Sequence, residues 1–85
     1  MTYKIEFTQM AQKQLEKLDK PVQGRIISSL DRIKARPYDF VEKLTGFDYF
    51  RLRVGNYRII MRIIDDKLIV LVVKIGHRKN IYKGI

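Results

Sequence analysis

Apolar and charged residues alternate over Tyr3-Lys4-Ile5-Glu6-Phe7, the period-two pattern of a strand with one buried face. The period then lengthens. Thr8 fits a helix N-cap, and Ala11, Leu15 and Leu18 recur behind it at i, i+4 and i+7. Asp19-Lys20-Pro21 closes this helix and opens a second, since proline in a first turn forfeits no hydrogen bond. Val22, Ile26, Leu30 and Ile33 form the second apolar stripe, with Ile27 broadening it. Arg36-Pro37 ends that helix, because the residue before proline is pushed out of the helical region. Residues 43–46 read as a connector. Two strands follow, Tyr49 to Val54 and Tyr57 to Ile64, joined by the two-residue turn Gly55-Asn56. After a turn at Asp65-Asp66-Lys67, residues 68–75 are apolar almost throughout, which predicts a strand covered on both faces and interior to its sheet. Residues 76–85 are polar and basic, without a clear period. The predicted fold is α+β: a strand, an antiparallel two-helix hairpin, then three strands, with the helices on one face of a mostly antiparallel sheet. No repeat or linker divides the chain, so residues 1–85 read as one domain.

The two-residue turn fixes a register in which Val54 faces Tyr57, Arg53 faces Arg58, Leu52 faces Ile59 and Phe50 faces Met61. Phe50, Leu52, Val54, Tyr57, Ile59 and Met61 then share the helix-covered side. Arg51, Arg53, Arg58 and Arg62 share the other, which is expected to be an open face. Like charges in opposed positions destabilise a sheet by up to about 1 kcal/mol, so stability alone does not account for this choice.

Composition sharpens the picture. The chain has 85 residues, 18 Lys+Arg against 9 Asp+Glu, and a formal charge of +9, with no Cys and one His. Such an excess attracts polyanions. Lack of cysteine excludes a disulfide scaffold and thiolate chemistry, and one His leaves too few ligands for a structural zinc site. No apolar run is long enough to span a membrane, and a cytoplasmic protein without cofactor is expected.

Guanidinium forks bind phosphate through paired hydrogen bonds. His77 and Arg78 follow the last strand, whose end is expected to bring them near Arg58, and Tyr82 lies four residues after Arg78. A site of Arg, His and Tyr suits RNA cleavage by the substrate's own 2′-hydroxyl. The protein then has to deprotonate that hydroxyl, stabilise the extra charge on phosphorus and protonate the 5′-oxygen. With no strong acid or base, such a site needs the RNA held bent for in-line attack by something else.

Three segments carry a resemblance. Lys43-Leu44-Thr45-Gly46, the hairpin from Tyr49 to Ile59, and Gly76-His77-Arg78 with Tyr82 together look like the RelE/ParE superfamily of toxin–antitoxin toxins, over the whole chain. In its RelE branch the resemblance implies a metal-independent endoribonuclease that cuts mRNA in the ribosomal A site and halts translation. By position it assigns Arg51 and Arg53 to the basic hairpin sites, Arg58 to the arginine after the turn, Arg78 to the C-terminal arginine and Tyr82 to the tail tyrosine. Arg51 and Arg53 stand where the best-known pattern has lysines; an arginine stays protonated and is a poor base. Proton transfer is left between Tyr82 and His77. The resemblance also implies an acidic, partly disordered, RelB-like antitoxin that wraps the toxin. Lys13, Lys17, Arg25, Arg32, Lys43 and Arg62 are candidates for contact with RNA phosphates. The ParE branch, same fold but a DNA gyrase poison without nuclease activity, is the alternative.

Overall fold

Thr8 caps the first helix as its sequence predicts: its side-chain oxygen accepts from the Ala11 backbone N–H at 3.1 Å. The computed structural model describes residues 1–83; positions 84 and 85, the end of the tail, lie outside the described part. Strand β1 (Lys4–Phe7) leads into α1 (Gln9–Glu16), and α2 (Lys20–Ile33) follows with Pro21 in its first turn. A short 3-10 turn, Pro37–Asp39, carries the chain to β2 (Glu42–Lys43). The hairpin β3 (Phe50–Val54) and β4 (Tyr57–Ile64) comes next, then β5 (Ile69–His77). The sheet therefore has five strands, in the order β1-β5-β4-β3-β2, with β1 parallel to β5 and the other pairs antiparallel. Residues 42 and 43, at the entry to the expected connector, form the extra strand on the β3 edge.

Between β3 and β4 the register is the one the turn predicts, with Arg53 opposite Arg58 and Phe50 opposite Met61. Gly55 takes φ +57°, a left-handed value that tight hairpin turns require and that glycine adopts without strain. The core lies between the helices and the sheet, where Ala11, Leu15, Ile26, Leu30 and Ile33 meet Leu52, Ile59, Met61, Val70, Val72 and Ile75. Ile27 does not broaden the buried stripe: it is 46% exposed, at the rim of an apolar groove beside Ile5 and Phe7.

β5 is interior, flanked by β1 and β4, which explains its unbroken apolar run. It contains a bulge. Ile60 pairs with Lys74 and Met61 with Val72, so Val73 has no partner on β4. Pairing of β1 with β5 stops at Phe7↔Val72, and α1 takes over the freed edge. The Thr8 hydroxyl donates to the Val73 carbonyl at 3.3 Å, and the Gln14 side-chain oxygen accepts from the Ile75 N–H at 2.7 Å. At the other end of the sheet the Tyr3 and Tyr38 hydroxyls both donate to Asp65, at 2.7 Å and at 2.8–2.9 Å. Tyr38 also stands edge-on to Phe50, with ring centroids 5.4 Å apart. These bonds, that of Tyr3 first, hold the Asp65 carboxyl below its ordinary range. Burial, then the bond to Asp65, pushes the Tyr38 phenol from 10.0 up to about 12.

Ile26→Ala should cost about 2–5 kcal/mol in urea denaturation, while Ile27→Ala should stay within about 0.5 kcal/mol. Equal losses would mean that the two positions are not divided between core and rim. Because the folded pKa of Tyr38 lies above its unfolded value, the stabilisation it provides is complete below pH 10 and is lost as the pH rises toward 12. Thermal unfolding across that window should decline less steeply in Tyr38→Phe than in the wild type; parallel curves would disprove the coupling.

Candidate functional site

Alternation along β3 and β4 sends Arg51, Arg53, Arg58 and Arg62 to the sheet face away from the core. β5 adds Lys74, paired with Ile60, and Gly76, paired with Arg58, to that face. The face is not open as expected. Backbone N–H groups of Asn80 and Ile81 donate to the His77 carbonyl at 2.9 and 3.0 Å, turning the tail back over the sheet. Ile81 and Ile60 are each 1% exposed, a small apolar contact layer apart from the main core. Gly76 makes room for it: a Cβ there would lie 3.1 Å from Ile81 Cδ1. Lys74 Nζ holds the same turn by donating to the Lys83 carbonyl.

Folded this way, the tail delivers Tyr82 to Arg51. Arg51 Nη1 donates to the Tyr82 hydroxyl at 2.7 Å, while its Nη2 lies 3.2 Å from Glu42 Oε2. The Tyr82 hydroxyl, ahead of Glu42, raises the Arg51 pKa above the ordinary guanidinium value, against the opposing effect of burial. Arg53 and Arg58 are directly opposed, yet their heads are drawn to different partners. Arg53 Nε is 3.4 Å from Glu42 Oε1, and Arg58 Nη1 donates to the Gly55 and Tyr57 carbonyls at 2.9 and 2.8 Å. Arg62 lies 3.5 Å from Asp48. Among the described residues, Arg58, Arg78 and Lys74 have no carboxylate partner.

The hairpin tip gathers further cations. Arg78 donates its backbone N–H to the Asn56 carbonyl at 2.8 Å, and its side chain is exposed. From α2, Arg25 shares a shallow recess with Gly55 and Asn56. Arg25, Arg58 and Arg78 thus surround one turn.

Two candidates fall on the other side. His77 pairs with Tyr57, and their rings meet edge-on at 5.7 Å on the helix side. The expectation that the end of β5 brings His77 to Arg58 is corrected by register: strand alternation opposes the two residues, and Gly76 is the one facing Arg58. Lys43 pairs with Phe50 and lies over its ring at 5.6 Å, so it too leaves the arginine face. Lys13, Lys17 and Arg32 are exposed on the helices, separate from the arginine face.

Sequence reasoning missed Lys74, Glu42 and Ile81. The bulge hides the facing of Lys74 within an apolar run, and pairing of Glu42 with Arg51 leaves no trace in two residues of strand. Ile60 and Ile81 did leave a signal: an isoleucine at a polar-face position, and the one aliphatic residue in 77–83. Chemically the face offers cationic hydrogen-bond donors that suit phosphate oxygens, beside one phenol. Among the described residues, no three His, Asp or Glu side chains gather as metal ligands.

Comparison with known proteins gives this arrangement a family. Residues 5–82 match the family described as ParE toxin of type II toxin-antitoxin system. The chain is 32% identical over 83 residues to a RelE-like toxin protein of Escherichia coli, covering 94% of this chain and 87% of that one. It is 29% identical, with the same coverage, to the mRNA interferase toxin RelE of Escherichia coli strain K12. Its fold matches a chain of the RelBE2 toxin–antitoxin complex from Mycobacterium tuberculosis with a TM-score of 0.85 at 25% identity, over 92% of this chain and 100% of that one. With a ParE family match over nearly its whole length and relatives named for RelE, the chain belongs to the RelE/ParE superfamily of toxins from type II toxin–antitoxin systems.

Proposed function

We propose that this toxin is a ribosome-dependent endoribonuclease that cuts mRNA in the A site, in the cytoplasm, and so stops translation. The observation that carries the reading is the Arg51–Tyr82 hydrogen bond, set beside Arg58, Lys74 and Arg78, cations without a carboxylate partner among the described residues. The relative named mRNA interferase toxin RelE supports it. In the reaction the RNA 2′-oxygen attacks the adjacent phosphorus, the bond to the 5′-oxygen breaks, and a 2′,3′-cyclic phosphate remains. Arg58 and Arg78, at the hairpin tip, donate to the non-bridging oxygens as charge builds on them. Arg53 and Lys74 extend the same field. The Tyr82 hydroxyl carries the proton transfer at one end of the reaction, because His77 lies across the sheet. The ribosome holds the RNA in line, which this shallow face does not do by itself. Lys13, Lys17, Arg25, Arg32 and Arg62 contact ribosomal RNA phosphates without reading sequence.

The resting partner is an acidic, RelB-like antitoxin. A charge of +9 and the likeness to chains in toxin–antitoxin complexes support this. A second reading, poisoning of DNA gyrase by protein contact, draws on the ParE description of the matching family.

Purified toxin added to ribosomes stalled with an empty A site should cut the mRNA at that codon, by primer extension, and leave the same mRNA intact without ribosomes. Arg58→Ala and Arg78→Ala should each lower the cleavage rate by about 100-fold or more while leaving the thermal midpoint within a few degrees. Intact mRNA together with loss of gyrase supercoiling would favour the second reading. Lys13→Ala with Lys17→Ala should weaken ribosome binding and flatten its salt dependence, with the cut site unmoved.

A further inference from the structure

A carboxylate at the edge of a face proposed to bind phosphate works against the substrate unless it does something else. Glu42 is in that position. It lies on β2, directly across from Arg51, and its two oxygens reach two guanidiniums: Oε2 to Arg51 Nη2 at 3.2 Å and Oε1 to Arg53 Nε at 3.4 Å. Arg51 passes the constraint on. Its Nη1 donates to the Tyr82 hydroxyl at 2.7 Å, and its Cζ stands 5.9 Å from the Tyr82 ring centre. The remaining nitrogen, Nε, is buried with no hydrogen-bond partner among the described residues, so the direction of the fork rests on its two ends. A guanidinium is planar and rigid, and fixing Nη2 fixes where Nη1 points. Tyr82 itself is 42% exposed, on a turn held by Ile81 and the Lys74–Lys83 bond, and the bond from Arg51 is the one its hydroxyl makes among the described residues.

We propose that Glu42 is a positioning residue: acting through Arg51, it holds the Tyr82 hydroxyl where proton transfer needs it. The inference rests on the proposed role of Tyr82 in RNA cleavage. Glu42 makes no contact with RNA in this scheme. Its charge lowers the attraction of the face for phosphate, and its contribution is orientation. Removing the charge but keeping the shape therefore lowers turnover without weakening binding.

The test compares wild type, Glu42→Gln and Arg51→Lys as full chains freed of antitoxin. Single-turnover cleavage of ribosome-bound mRNA is read against toxin concentration, and Tyr82 ring cross-peaks are read in 1H–13C NMR spectra of the free protein. Glu42→Gln should lower the maximal rate by about 10- to 100-fold, with half-saturation unchanged or at lower concentration. Its Tyr82 cross-peaks should shift and broaden while those of Tyr3, Tyr38 and Tyr57 stay in place, the control for folding. Arg51→Lys, which keeps the charge but lacks the fork, should disturb Tyr82 in the same way. An unchanged rate in Glu42→Gln overturns the proposal. So does a lost rate with unmoved Tyr82 cross-peaks, which would give Glu42 a direct part in the chemistry. A wild type that leaves ribosome-bound mRNA intact would refute the nuclease reading instead, and the NMR comparison would still decide whether Glu42 orients Tyr82.

Discussion

The bulge at Val73 in the interior strand β5 sets the facing of everything that follows it. Without the extra residue, β5 would continue in step with β4 and carry the opposite faces into Lys74, Ile75 and Gly76. With it, Ile75 returns to the core and Gly76 turns to the arginine face, where its missing Cβ leaves room for the buried Ile81. Past the end of β1, a backbone carbonyl and an N–H on that side of β5 have no strand partner. Thr8 and Gln14 satisfy them, so the first helix is tied to the strand that orients the tail. Tyr82 reaches Arg51 because these steps agree.

The basic face is tolerable because its charges are dispersed in space though crowded in sequence. Arg53 and Arg58 oppose each other on neighbouring strands, an arrangement that costs stability when both heads point the same way. Here Glu42 draws one toward the sheet edge, and the turn carbonyls hold the other at the hairpin tip. Arg62 leans to Asp48 at the opposite end. The cations of this face without a carboxylate partner among the described residues, Arg58, Lys74 and Arg78, are concentrated around the tip and the neighbouring stretch of β5. The Arg58 and Lys74 heads are held there by backbone carbonyls, and donors fixed beforehand are the condition under which charge stabilisation is most effective.

The hairpin was legible because two constraints coincide in it: a two-residue turn that fixes register and a clean alternation that fixes facing. From these the pairing of Arg53 with Arg58 and the core side of Leu52 and Ile59 follow, and the structure has both. Ile27 was misread because a helix stripe has no sharp edge in sequence, and the neighbouring sheet covers Ile26 but stops short of it. His77 was misplaced for a different reason. The apolar run before it carries no alternation, so nothing in the sequence says which way the strand faces when it ends.

Local chemistry in the sequence determined the order of the two helices and the four longer strands, the Thr8 helix cap, the hairpin register, the cationic excess and the family likeness, since each depends on neighbours within a few residues or on composition. Tertiary structure alone decided the bulge, the two-residue strand that carries Glu42, the return of Ile81 to the sheet and the meeting of Arg51 with Tyr82. Those contacts join residues far apart in the chain. A long-range contact is set by how whole elements pack and shift against each other, and no run of neighbouring residues encodes that displacement.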